Sequence, residues 1–363
     1  MVKVVKQIGQ KKELFFALLR NALWYTEDRF PKELSLKEAL HILRGAEMQA
    51  VSGLVIDALI RNNVRMPKKM LLESFTLLEK IKQQNQFVNE GVKALQQLFG
   101  KNGVMFVIVK GQVVASYYPA SLLRQSGDID YYCNTENFSK SQQVIKEAWG
   151  IETNANGSDF HVHFDYKDII YEGHFSLISL YGKNKDDYWL RLLAEDRGDT
   201  VRIGDVDVPT LSPTLHTLFV FLHLYHHLME LGVGLRQFCD LAVMLHYCHQ
   251  NIDMDAFRLH LKNMGLEGAF RACCSILTDY LGLPENEIGY MLSSRDRQYG
   301  KKILNVVFYR GNMGHYNKQN GFSGWKHKIE SFGIKTSHFV KFMPLAPRYS
   351  YGWMWHKITR QVH

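Results

Sequence analysis

At residue 103 the chain changes its period. Before it, apolar residues recur at helical spacing through Leu40, Leu43, Leu54, Ile56 and Leu59, behind a capping box in Ser35-Leu-Lys-Glu38. Pro67 opens a further long helix that ends at Gly100. Then comes Val104-Met-Phe-Val-Ile-Val109, a short apolar, β-branched run bounded by Gly103 and Gly111, which suits a buried strand. A strand that follows about 100 helical residues needs helices to cover it, so the fold class expected is α+β: a small mixed sheet flanked by N-terminal and C-terminal helical regions.

The remaining pattern agrees with that class. Residues 112–118 suit a helical turn or two, Ile129–Cys133 a second strand and Asn137–Trp149 a helix. Phe160–Tyr166 and Ile169–Ser176 suit an antiparallel hairpin around Lys167-Asp168. After a short strand at Val206–Val208, Ser212-Pro213 places an N-cap serine before a proline at the first helical position. The helical pattern then runs to about Tyr280, with breaks near Gly232–Gly234 and Gly265. The expected organisation is a helical N-terminal region at 1–100, an α/β core at 101–210, a helical domain at 211–300 and a basic, aromatic-rich segment at 301–363.

Composition excludes several classes. Apolar content of 46% with 22% charged residues is that of a folded globular chain. The N-terminus has lysines but no continuous apolar run ending in a small-residue cleavage site, and no stretch reaches the ~20 apolar residues of a membrane span. Five cysteines without a metal-ligand spacing fit reduced thiols in a cytoplasm. The net charge of +8 is concentrated at one end: residues 301–363 hold eleven Lys and Arg against one acid, Glu330. Such a segment is either a solvated basic face or a weak contact for a polyanion or an anionic membrane surface.

Chemistry concentrates in Val107-Ile-Val-Lys-Gly111, Tyr117-Tyr-Pro119, Arg124 and Gly127-Asp-Ile-Asp130. Alternate residues of a strand share a face, so Asp128 and Asp130 point the same way while Ile129 enters the core. Two like charges side by side call for a cation or a proton between them, and an oxygen-rich site of this kind suits Mg²⁺, or Mn²⁺ in its place, bridged to substrate phosphates. Glu172, in Ile169-Ile-Tyr-Glu-Gly-His174, is a third acid that a neighbouring strand can bring to the pair.

At these residues the sequence resembles the uncharacterised bacterial nucleotidyltransferase family of the DNA polymerase β superfamily. The resemblance is carried by Lys110-Gly111, Tyr118-Pro119, Arg124, Gly127-Asp128-Ile129-Asp130 and Glu172-x-His174, with Leu235-Arg236 and Asp240-Leu-Ala242 further on, and covers roughly residues 100–250. It departs from the wider superfamily at the turn, where Lys110-Gly111-Gln112 replaces the common Gly-Ser pair. What it implies is a nucleotidyltransferase-type sheet and a two-Mg²⁺ transfer of a nucleoside monophosphate from an NTP to an unidentified acceptor. Asp128, Asp130 and Glu172 would be catalytic and metal-binding, with Glu172 at the acceptor side. Lys110, Gly111, Arg124 and Gly127 would bind the nucleotide, although Lys110 also reads as an ordinary strand-end lysine and Arg124 as an ion-pair partner.

Other readings stand beside this one. His161, His163 and His174 can converge across the hairpin, and with an acid they would suit zinc. His223 and His227 lie four apart on one helix, but without the intervening glutamate of a zinc protease they read as core or hydrogen-bonded histidines. Arg236 and Asp240, at i and i+4, read as a helix salt bridge. The cations of the C-terminal segment, with Trp325, Tyr349, Tyr351, Trp353 and Trp355, suit either nucleic-acid binding or extension, or a packing stripe. A catalytically silent scaffold is the third class.

Overall fold

The structure is a computed structural model that describes residues 2–153, 161–230, 232–312, 336–337 and 339–360. Its N-terminal helices are α1 (Val2–Trp24), α2 (Leu36–Met48), α3 (Ser52–Arg61) and α4 (Lys68–Lys101). The capping box expected at Ser35 and Glu38 opens α2, and Pro67 is the N-cap residue of α4. The strand in the 104–109 run is confined to β1 (Val107–Val109), after which α5 (Gly111–Ala115) leads towards β2 (Asp128–Tyr132) and α6 (Thr135–Trp149). The hairpin is β3 (His161–Tyr166) and β4 (Ile169–His174). Its two-residue turn is Lys167-Asp168, both at positive φ (49° and 59°), as a type I′ turn requires. Phe160 of the expected strand lies outside the described residues.

The four strands form one mixed sheet in the order β1-β2-β4-β3. The β1/β2 and β3/β4 pairs are antiparallel, whereas β2 and β4 run parallel, with Asp130 opposite Glu172 and Tyr132 opposite His174. One face is apolar: Ile129, Tyr131, Val162, Phe164 and Tyr171 pack with Val88, Val92, Leu95 and Phe99 of α4 and Ile145 of α6. Gly91 permits that approach, because a Cβ there would stand 2.6 Å from Ile169 Cδ1 and 2.9 Å from both Ile129 Cδ1 and Tyr171 Oη. Period two then sends Asp128, Asp130, Glu172 and His174 to the opposite face.

Among the elements that the sequence pattern does not anticipate are α7 (Lys183–Glu195) and β5 (Asp199–Ile203), which pairs with β6 (Val206–Thr210) as a separate two-stranded sheet. Beyond these come α8 (Pro213–Glu230), α9 (Leu235–Tyr247), α10 (Met254–Met264), α11 (Glu267–Asp279), α12 (Ser294–Arg310) and α13 (Pro347–Arg360). The helical break near Gly232–Gly234 and the stop at Gly265 fall between α8 and α9 and at the end of α10. The N-terminal and C-terminal helices share one apolar core, in which Phe16, Leu19 and Leu59 belong to the same cluster as Phe221, Phe238 and Phe270.

Residue 300 lies inside α12, which continues the helical region into the basic segment. Tyr349 and Trp353 are buried, and the Trp353 indole donates to Glu230 Oε1 at 2.8 Å, whereas Tyr351 and Trp355 are exposed. Trp325, Lys326, Lys328 and Lys335 lie outside the described residues. All five cysteines are free and buried. No helix among the described residues is long and apolar enough to cross a membrane.

Candidate active site

The site is built where β1 ends. Val109 stands opposite Asp130, and the next residue, Lys110, takes φ 57° and ψ −143°, a conformation strained for a residue with a side chain. The backbone thereby turns into α5, and the Lys110 N–H donates to His216 Nε2 at 3.3 Å. The lysine side chain comes back over the sheet, with Nζ 2.6 Å from Asp130 Oδ1. The same oxygen lies 2.9 Å from His174 Nε2, which is also 3.7 Å from Glu172 Oε2. Asp130, Glu172 and His174 thus offer one ligand atom each within 4.8 Å of one another, a buried group that can hold a metal ion.

Electrostatics divide the acids. Burial opposes ionisation of Asp130, yet Lys110 and the bond from His174 outweigh it and hold this carboxyl well below the usual carboxylate range. Asp128 is raised, first by the charge of Asp130 and then by burial. Glu172 is pushed up to about 7 by burial and by Asp130 beside it. A cluster in which one acid keeps its charge and two resist theirs is short of positive charge, and hard oxygen donors with one imidazole fit a divalent cation.

The wall facing the sheet comes from α8 and α9. Val220, His223 and His227 of α8 and Arg236, Gln237 and Asp240 of α9 line the cavity with Lys110, Gly111, Arg124, Ser126, Asp128, Asp130 and Glu172. Arg124 grips Asp240 through Nε (2.7 Å) and a terminal nitrogen (2.8 Å), its other terminal nitrogen donates to Ser126 Oγ at 2.9 Å, and Tyr118 donates to Asp240 Oδ1 at 2.7 Å. This buried network ties the segment before β2 to α9. Asp240 therefore pairs with Arg124 and not with Arg236, contrary to the helical i, i+4 expectation. Within one turn of helix Arg236 is a neighbour of Asp240, but the bidentate fork of Arg124 already takes both carboxylate oxygens.

The structure thus brings Asp128, Asp130 and Glu172 to one face above one cavity, with Lys110, Gly111 and Arg124 around it; Gly127 is exposed just before β2, outside the lining. His161 and His174 have ring centroids 5.3 Å apart. Yet among the described residues the gathered metal-type donors are Asp130, Glu172 and His174, not three histidines. The sequence reading underrates His174, although its i+2 spacing from Glu172 already places both on one strand face. It also misses Arg236, His223 and His227 as cavity residues, since only the packing of α8 and α9 against the sheet reveals them.

A family model described as an uncharacterised nucleotidyltransferase matches residues 36–282, which span α2 to α11 and contain every residue of this site. No curated protein matches. Among solved structures, an antigenic nucleotidyltransferase-like protein from Paracoccidioides brasiliensis is similar at 12% identity with a TM-score of 0.34, over 54% of this chain and 92% of that one.

Proposed function

The chain belongs to the uncharacterised nucleotidyltransferase family, and from that premise we propose that it transfers a nucleoside monophosphate from an NTP to an acceptor hydroxyl on a small molecule, a glycan precursor or a protein. The observation that carries this reading is the register of β2 against β4, which sets Asp130 beside Glu172 with Asp128 two residues away on the same face. Asp128, Asp130 and Glu172 are the residues that would hold metal, and His174 completes their donor set. When bound, a pair of Mg²⁺ ions would neutralise phosphate charge and stabilise the attacking and leaving oxygens of an in-line displacement.

The chain's own groups divide the remaining work. The acceptor oxygen forms a bond to the α-phosphorus as the bond to the β-bridging oxygen breaks and pyrophosphate leaves. The hydroxyl proton passes to Glu172, the carboxylate that the neighbouring strand sets beside Asp130. Lys110 places an ammonium within the acid group, and Gly111, without a Cβ, lines the cavity beside it. Arg124, with its charge balanced by Asp240, braces the wall.

The test supplies α-labelled ATP, CTP, GTP and UTP in turn, with Mg²⁺ and a cell extract. Label should pass to a discrete acceptor with the wild-type protein and not with Asp128→Asn. Equal labelling by both proteins would overturn the reading, and label confined to RNA would make the chain a nucleic-acid-extending enzyme.

A further inference from the structure

Cations around the cavity are matched with anions, except one. Lys110 is paired with Asp130 and Arg124 with Asp240. Arg236 has no carboxylate within 4.0 Å among the described residues. One terminal nitrogen donates to the Gln125 carbonyl at 2.8 Å, and its buried Nε has no hydrogen-bond partner. Asp240 and Asp128 attract it only from beyond ion-pair distance, and a partly buried guanidinium with an unmet N–H and no carboxylate in contact is costly to keep unless a ligand supplies the missing anion. Burial and the like charge of Arg124 both work against its ionisation.

We infer that Arg236 is the seat for the phosphate chain of the nucleotide, a role that Arg124, nearer the acid motif in sequence, does not take. The inference rests on the nucleotidyltransferase reading of the same cavity. The Arg236 side chain carries the role, and the end of its helix does not: the Arg236 and Leu235 N–H groups already donate to Gln49, to its carbonyl at 3.3 Å and to its Oε1 at 3.0 Å. A guanidinium fork matches two phosphate oxygens, whereas an ammonium meets them as a point charge. His227, on the same wall, also has a buried nitrogen, Nδ1, without a partner. It is held neutral by burial and by the neighbouring cations, so it offers hydrogen bonding without adding charge.

The experiment is equilibrium binding, with no turnover, of the α,β-methylene analogues of ATP, CTP, GTP and UTP with Mg²⁺, and of inorganic tripolyphosphate, to wild type, Arg236→Gln and Arg236→Lys. Arg236→Gln should bind the preferred analogue about 10- to 100-fold more weakly, the loss expected for hydrogen bonds to a charged group. Arg236→Lys should recover part of that loss. The ligand-free thermal midpoint of Arg236→Gln should be unchanged or raised, because an unmatched charge has gone. A merely structural arginine would give a lowered midpoint with unchanged affinity, and that result overturns the inference while leaving the nucleotide reading intact. Tripolyphosphate bound through Arg236 without any nucleotide analogue would keep the anion seat and remove the nucleotide. No binding of either probe by wild type would remove both.

Discussion

Asp128 and Asp130 share a strand face, but their charges are held in different ways, so their removal should have different consequences. Asp130 accepts from Lys110 and contacts His174 in a buried setting. Asp130→Asn strands the Lys110 ammonium without its partner, and the expected loss of stability is about 3 kcal/mol, as for a broken buried pair. Asp128 has no ion pair among the described residues, and the charge of Asp130 opposes its own. Asp128→Asn should therefore leave the fold at wild-type stability or slightly above it. Both variants should lose nucleotidyl transfer. Urea unfolding with a parallel transfer assay checks the pair, and equal destabilisation by the two substitutions would contradict the division of charge described here.

At the scale of elements, the close approach of α4 to the acid-bearing sheet depends on Gly91. Gly91→Ala would press a methyl group into Ile129 and Tyr171, which sit beside the two halves of the acid cluster in sequence. Overpacking of this kind costs about 1–3 kcal/mol, and because Ile129 lies between Asp128 and Asp130 the transfer rate should fall with it. An unfolding midpoint and rate both unchanged would show that α4 has room to move. Such elements were legible where the determinants are local. Ser35 and Glu38 meet within four residues, Lys167-Asp168 carry a turn between two strand patterns, and Asp-x-Asp fixes one face by period alone. The site's second wall was not legible, because Arg124 and Asp240 are separated by 116 positions and no spacing rule joins them. The polar run of α7 has only Trp189 and Leu193 buried, too few contacts to make a helical stripe.

Across the whole molecule, the sheet and the helical region meet through histidines that must stay neutral. His216 is buried at the start of α8, where its Nε2 accepts from the Lys110 N–H. The Thr210 hydroxyl donates to Ile108 O at 2.8 Å, so at the 3.4 Å contact the His216 Nδ1–H is the donor to Thr210 Oγ1. Protonation would turn Nε2 into a second donor facing the Lys110 N–H. Burial lowers His216 to about 4, with Asp240 only partly opposing it. His227 is lowered to about 3 by burial and by His226, Lys110 and Arg236, against Glu230. At these two histidines the folded protein thus binds fewer protons than the unfolded chain below the ordinary value of 6.5, which outweighs the opposite effect of the raised Glu172, and folding stability falls as the pH falls. The stabilisation is complete above pH 6.5. Below it the slope from each such histidine is about 1.4 kcal/mol per pH unit until its folded-state pKa is reached. Thermal midpoints measured from pH 7.5 to 4.5 should decline through this window, and His216→Gln, which cannot titrate, should decline less steeply. Parallel curves for the two proteins would mean that His216 is protonated in the folded state and that another group holds the turn at Lys110.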